Sequence, residues 1–153
     1  MIQTMIDLLN EARLRELEAI DQYMIHHYEM ENRGLDKLGT KIKEIAVAKM
    51  KHAEKLAERV LFLKGELISK PDATPQKGQE IPEMLATDIV LETKAVKMYN
   101  EAAGICASEK DQKSKDLFEE FLSDEEGHLN FFKNTKNHVD KLGAAYIGTL
   151  TGK

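Results

Sequence analysis

Glu125 and His128 stand three residues apart in a long run rich in Leu, Glu and Lys, and Lys49 and His52 repeat that spacing in the first half of the chain. On a helix, residues three apart share a face, so Glu125 and His128 can offer a carboxylate oxygen and an imidazole nitrogen to one ion. That mixture suits iron, manganese or zinc. A lone Glu-x-x-His pair is usually incidental, so its weight depends on what the neighbouring helices send to the same place.

A 4, 3, 4, 3 spacing marks the inward stripe of a bundle helix. In the first helical run it selects Met5, Leu9, Ala12, Glu16, Ala19, Tyr23, His26 and Met30, and in the second Leu38, Ile42, Ile45, Lys49, His52, Leu56, Arg59 and Leu63. The third run gives Leu85, Ile89, Glu92, Val96, Tyr99, Ala103 and Cys106, and the fourth gives Phe118, Phe121, Glu125, His128, Phe132, Thr135 and Val139. Each row carries ionisable residues near its middle, and midpoints of antiparallel helices lie at similar height, so these groups are expected to meet. Three carboxylates and two imidazoles are costly to bury unless something positive organises them, and a metal is the expected organiser. His26 reads as a hydrogen-bonded core histidine, His27 and His138 as surface or interface residues, and Cys106 as a small core residue.

The rows require long helices. All three prolines, Pro71, Pro75 and Pro82, fall within 12 residues, and the runs on either side are dominated by good helix formers. The punctuation predicts helices from Thr4, as a cap, to a stop near Gly34, from Asp36 to Lys64 with a stop at Gly65, from Pro82 to Ala107, and from Asp111 to Leu142. A short fifth helix is expected over Ala144 to Leu150. Two short connections and one of roughly 17 residues describe an all-α protein, a four-helix bundle with one long crossover, over residues 1–153 as one domain. With 42% hydrophobic and 32% charged residues the chain is not disordered. Its net charge of −5 argues against nucleic-acid binding. No apolar run is long enough to span a bilayer, and Met1 to Arg15 carries acids in place of a signal pattern. With its single cysteine, the chain is expected to be cytoplasmic.

The segments ELEAIDQY (Glu16 to Tyr23), MKHAEKLAERVLFLKG (Met50 to Gly65) and DEEGH (Asp124 to His128) resemble the bacterioferritins of the ferritin superfamily. The resemblance extends over almost the whole chain and implies a ferritin-like bundle with a dinuclear iron centre. Glu16 and Glu92 match its terminal carboxylates, Glu125 a bridging carboxylate, and His52 and His128 the nitrogen ligands. Lys49 departs from it: the family places a second bridging Glu there. Four glutamates balance two Fe²⁺, whereas three glutamates and one lysine leave two negative charges before any metal arrives. The lysine then serves as a tethered countercharge, and the ferroxidase centre is expected to be lost or weakened. A competing arrangement holds one ion on Glu92, Glu125 and His128 while Lys49 swings aside or binds Glu16. The family's inner iron site on the second helix corresponds to Glu44 and Ala48, so it too is altered, and Tyr23 matches a tyrosine able to hydrogen-bond Glu92, with a tyrosine that packs two helices as the equal alternative.

Met50 lies one residue off the inward row, in a second apolar stripe with Val47, Ala57 and Leu61. Leu17, Ile20 and Met24 extend that surface from the first helix, and it is expected to form a two-fold interface. The resemblance assigns Met50 to haem ligation there, one haem per dimer, in a homo-oligomeric cage of 24 subunits that stores iron and can include a second, intact subunit type. No membrane or nucleic-acid partner is expected. The alternatives are a working ferroxidase that tolerates Lys49 and a ferritin-like bundle with no iron role.

Overall fold

The first three long helices end on the same backbone motif, with a different residue supplying its left-handed position in two of the cases. The computed structural model describes residues 2–68 and 74–152, so Pro71 lies outside the described residues. Helix α1 spans Ile2–Asn32, α2 Asp36–Phe62, α3 Ile81–Ser108, α4 Gln112–Leu142 and α5 Ala144–Gly148. After α1, Gly34 adopts φ +78° while the amides of Gly34 and Leu35 donate back to the carbonyls of Glu31 and Met30. The same pair of bonds closes α2 around Lys64 (φ 65°) and α3 around Lys110 (φ 60°).

Two sequence expectations are therefore corrected. The left-handed stop of α2 is Lys64, not Gly65. Gly65 serves close approach instead, since a Cβ there would come within 2.7 Å of the Ile6 side chain. At the other end, α1 is already helical from Ile2, with Met5 and Ile6 buried on the bundle, so Thr4 lies inside the helix and does not cap it.

The remaining expectations on helix ends hold closely. Pro82 sits in the first turn of α3. Asp111 caps α4 by accepting the Ser114 amide at 3.1 Å. Arg59, expected on the inward row of α2, is only half-buried: it donates to Asp111 at 2.8 Å and to Ser114 Oγ at 3.0 Å, tying the end of α2 to the start of α4.

Helix α1 lies along α2 and α3 along α4, with thinner contacts between α1 and α3 and between α2 and α4. The buried apolar residues form two clusters. One contains Met5 and Leu9 of α1, Leu56 of α2, Tyr99 of α3 and Phe118 and Phe121 of α4. The other contains Met30 of α1, Leu38 and Ile42 of α2, Met84 and Leu85 of α3 and Phe132 of α4. Followed along the chain, α1 and α4 run from the first cluster to the second, while α2 and α3 both run the opposite way. Parallel neighbours in sequence need a connection as long as the bundle, which is the reason for the crossover. Side chains of α1 hold the described parts of that crossover: Asn10 donates to the Glu66 carbonyl (2.9 Å), and Gln22 both donates to the Gln76 carbonyl (2.9 Å) and accepts its amide (2.7 Å).

Candidate metal centre

Between the two apolar clusters lies one polar layer, and Lys49 is in the middle of it. Its side chain is 1% exposed. The Nζ donates to Glu125 Oε2 and lies 3.0 Å from Glu92 Oε1 and 4.0 Å from Glu16 Oε1. Two buried tyrosines donate to the same side of the carboxylates: Tyr23 to Glu92 Oε1 and Tyr99 to Glu16 Oε1, each at 2.5 Å. Burial alone would discharge the lysine, but the charges of Glu16, Glu92 and Glu125 outweigh it and hold the ammonium above the ordinary lysine range. Burial works against the Glu125 carboxylate too, yet His128, His52 and Lys49 hold it far below the usual carboxylate range.

The other oxygens of these carboxylates face the two histidines. Glu16 Oε2 and Glu125 Oε1 each lie 3.3 Å from His52 Nδ1. Glu125 Oε1 lies 3.5 Å and Glu92 Oε2 3.9 Å from His128 Nδ1. All five atoms are buried and lack a hydrogen-bond partner. Buried polar atoms are normally satisfied, so five orphans of metal-ligand type, grouped as Glu16–His52–Glu125 and Glu92–Glu125–His128, fit a metal-binding role. Without metal, a proton on His52 takes that place. Burial opposes its charge, but Glu125, Glu16 and Asp124 push the imidazole up to about 10.

All six residues singled out by spacing thus meet, with His128 less buried than the rest. Three neighbours escaped the sequence reading as functional groups. Tyr99 stood on the inward row as an apolar member. Asp124 accepts a hydrogen bond from His52 Nε2 at 2.8 Å from outside the row. Asp88 is fully buried against His26, whose Nδ1 donates to it at 3.1 Å while its Nε2 lies 3.0 Å from Gln79 Oε1. His26 is therefore a hydrogen-bonded core histidine, as expected. His27 is not at the surface as expected: it is buried, and its Nδ1 donates to the Gly39 carbonyl at 2.7 Å across the α1–α2 turn. His138 is exposed and stacks on Tyr146, and Cys106 is buried beside Met5.

Glu44 is exposed and pairs with Lys41 at 3.6 Å, and Ala48 is half-buried. The second stripe is open to solvent: Met50 is 42% exposed, Val47 and Leu61 are exposed, and Leu17, Ile20, Met24 and Ala57 are half-buried. Among the described residues, no helix is long and apolar enough to cross a membrane.

The ferritin-like domain family matches residues 6–142. The bacterioferritin of Desulfovibrio desulfuricans is 33% identical over 147 residues, 96% of this chain and 82% of that one. The chain belongs to the bacterioferritins. The bacterioferritin of Rhodobacter capsulatus is 38% identical over 138 residues, 90% of this chain and 86% of its own. In structure, the Desulfovibrio desulfuricans bacterioferritin, solved with its diiron site in different catalytic states, superposes with a TM-score of 0.96 at 32% identity, covering 99% of this chain and 89% of that one. The Rhodobacter capsulatus bacterioferritin, solved with a metal-free dinuclear site and haem iron in a crystallographic special position, gives 0.92 at 35% identity, covering 99% and 94%. The fold of this bacterioferritin chain is thus a ferritin-like bundle with one long crossover and a short fifth helix.

Proposed function

We propose that this bacterioferritin is an iron-storage subunit whose dinuclear ferroxidase centre is disabled or weakened by Lys49, so that it contributes haem binding and cavity wall more than iron oxidation. The observation that carries the reading is the buried Lys49 ammonium among Glu16, Glu92 and Glu125. In the family a fourth carboxylate there would pull two iron ions together; here an ammonium repels them and neutralises part of the charge they would need. Residues 1–153 act as one ferritin-like domain in a cytoplasmic homo-oligomeric cage, 24-meric in the family's manner, with room for a second subunit type that keeps the oxidising centre.

Met50 fits haem ligation. Its thioether is exposed in the middle of an apolar stripe that a lone subunit would leave uncovered, and a two-fold axis through that stripe would bring two such residues to one haem. Haem held by two soft neutral sulfurs supplies electron transfer. The chain's own part is to present Met50 and exclude water with Val47, Leu61 and their α1 neighbours.

A second reading, a working ferroxidase, is supported by the five orphan ligand atoms. Rapid mixing of Fe²⁺ with aerobic protein separates the two. A slow reaction in the unmodified cage that Lys49→Glu accelerates supports the disabled centre; fast oxidation of the first two Fe²⁺ per subunit without the substitution supports the working enzyme.

A further inference from the structure

We infer that the centre is a site for one divalent metal ion, with Lys49 standing in for the second, and that the ion goes to Glu16, His52 and Glu125 and not to Glu92, Glu125 and His128. The inference rests on the reading of Lys49 as the residue that disables dinuclear chemistry. Charge sets the number. Counted as formal charges, three carboxylates and one ammonium leave two negative charges in the polar layer, and one divalent ion cancels them. A second would leave two positive charges in a buried site, where uncompensated charge is strongly disfavoured.

Three observations select the half. Lys49 is committed to Glu125 and Glu92 but stands 4.0 Å from Glu16, so the ammonium is furthest from Glu16. His52 donates its Nε2 proton to Asp124 at 2.8 Å, so an ion that displaces the other ring proton meets an Nδ1 lone pair aimed at Glu16 Oε2 and Glu125 Oε1, both at 3.3 Å. That is the spacing of adjacent donors around an ion with bonds of about 2.1 Å, and a carboxylate behind the imidazole is the usual means of fixing a metal-bound histidine. His128 Nδ1 is further from its carboxylates, and no hydrogen bond to its other nitrogen is found among the described residues. A cleft of about 360 Å³ between α1 and α3 opens onto Glu16 and Lys49, lined by Glu11, Glu18, Arg15 and Lys94, while a second pocket beside Lys41, Glu44 and Phe131 reaches His128. Glu16, His52 and Glu125 are each more than nine-tenths buried, and each turns an unpartnered atom inward. Two carboxylates, one imidazole and an open position suit borderline cations such as Zn²⁺, Co²⁺ or Fe²⁺.

Crystals of the metal-stripped protein soaked in Co²⁺ test this directly. The expected result is one anomalous peak in the centre, bonded to Glu16, His52 and Glu125, with Lys49 still turned inward. In solution, the visible Co²⁺ spectrum of the centre is expected to saturate at one ion per subunit. It should be lost in His52→Gln, persist in His128→Gln, and need about tenfold more Co²⁺ in Asp124→Asn. A peak on Glu92 and His128, or an empty centre, overturns this inference and leaves the disabled-ferroxidase reading standing. Two full peaks overturn both. The soak uses the unmodified protein, so failure of a variant to fold does not decide the matter.

Discussion

Lys49 and Met50 are neighbours on α2, about 100° apart around the helix, and they look into regions of opposite character. Lys49 is 1% exposed and fills a polar layer among three carboxylates; Met50 is 42% exposed and stands on an apolar stripe. The comparison teaches that the two faces of one helix can be altered separately. On the function proposed above, the inward face exchanges a shared ligand for a built-in cation, while the outward face offers the methionine and apolar stripe that a two-fold haem site would need.

The largest effect should follow from breaking the inward face. Lys49→Met keeps the volume and removes the charge, leaving three buried carboxylates to one another. The metal-free protein should lose about 3–5 kcal/mol in urea unfolding at fixed protein concentration. A loss below about 1 kcal/mol would mean that the ammonium is not the countercharge.

A second buried polar cluster sharpens what is special about the centre. Burial pushes Asp88 up to about 6, against the opposing influence of His26 from α1 and Lys49 from α2. An acid raised in the fold stabilises it only while protonated. Its contribution is therefore full below about pH 3.8 and lost as pH rises through 6. Compared with Asp88→Asn, the unmodified protein should lose about 3 kcal/mol between those limits, a difference readable from unfolding curves across the range. A constant difference between the two proteins would show that Asp88 does not titrate there.

Gly65→Ala asks whether ordinary packing, away from either region, is as sensitive. Its Cβ meets Ile6 at 2.7 Å, so about 1–3 kcal/mol of destabilisation is expected by thermal or urea unfolding. The smallest effect on stability belongs to the outward face. Met50→Ala should change subunit stability by less than about 0.5 kcal/mol yet abolish the Soret band of haem-supplied protein. A Soret band that survives would place the haem elsewhere.

Much of this was legible in the sequence, because a helix of about 30 residues with one inward face repeats its pattern many times. Glu16, Lys49, His52, Glu92, Glu125 and His128 came from spacing, and the helix ends came from Gly34, Pro82 and Asp111. Two kinds of residue escaped. Asp88, Ala95 and Ala102 are buried on α3 where the spacing picked Ile89 and Val96, which are half-buried. Burial keeps the seven-residue repeat along α3, with Leu85, Glu92, Tyr99 and Cys106 alternating with Ile81, Asp88, Ala95 and Ala102; the 4, 3 order of the row picked the residue just after each of Asp88 and Ala95. The other kind acts across helices: Asp124 reaches His52 over 72 residues of chain, Tyr99 reaches Glu16 over 83, and His27 is buried by its bond to the Gly39 carbonyl. Such pairings depend on which helices are neighbours and on their direction, and no single helix pattern contains that information. Lys64 and Lys110 hid their left-handed turns because lysine gives no sign of that conformation in sequence.

On the proposed function, an amine replaces a shared metal ligand in the middle of the bundle. Anaerobic Fe²⁺ titration of the unmodified protein and of Lys49→Glu tests it most directly, with bound iron per subunit counted at the centre. No more than one tight Fe²⁺ is expected in the first and two in the second. Two tight ions in the unmodified protein would contradict it.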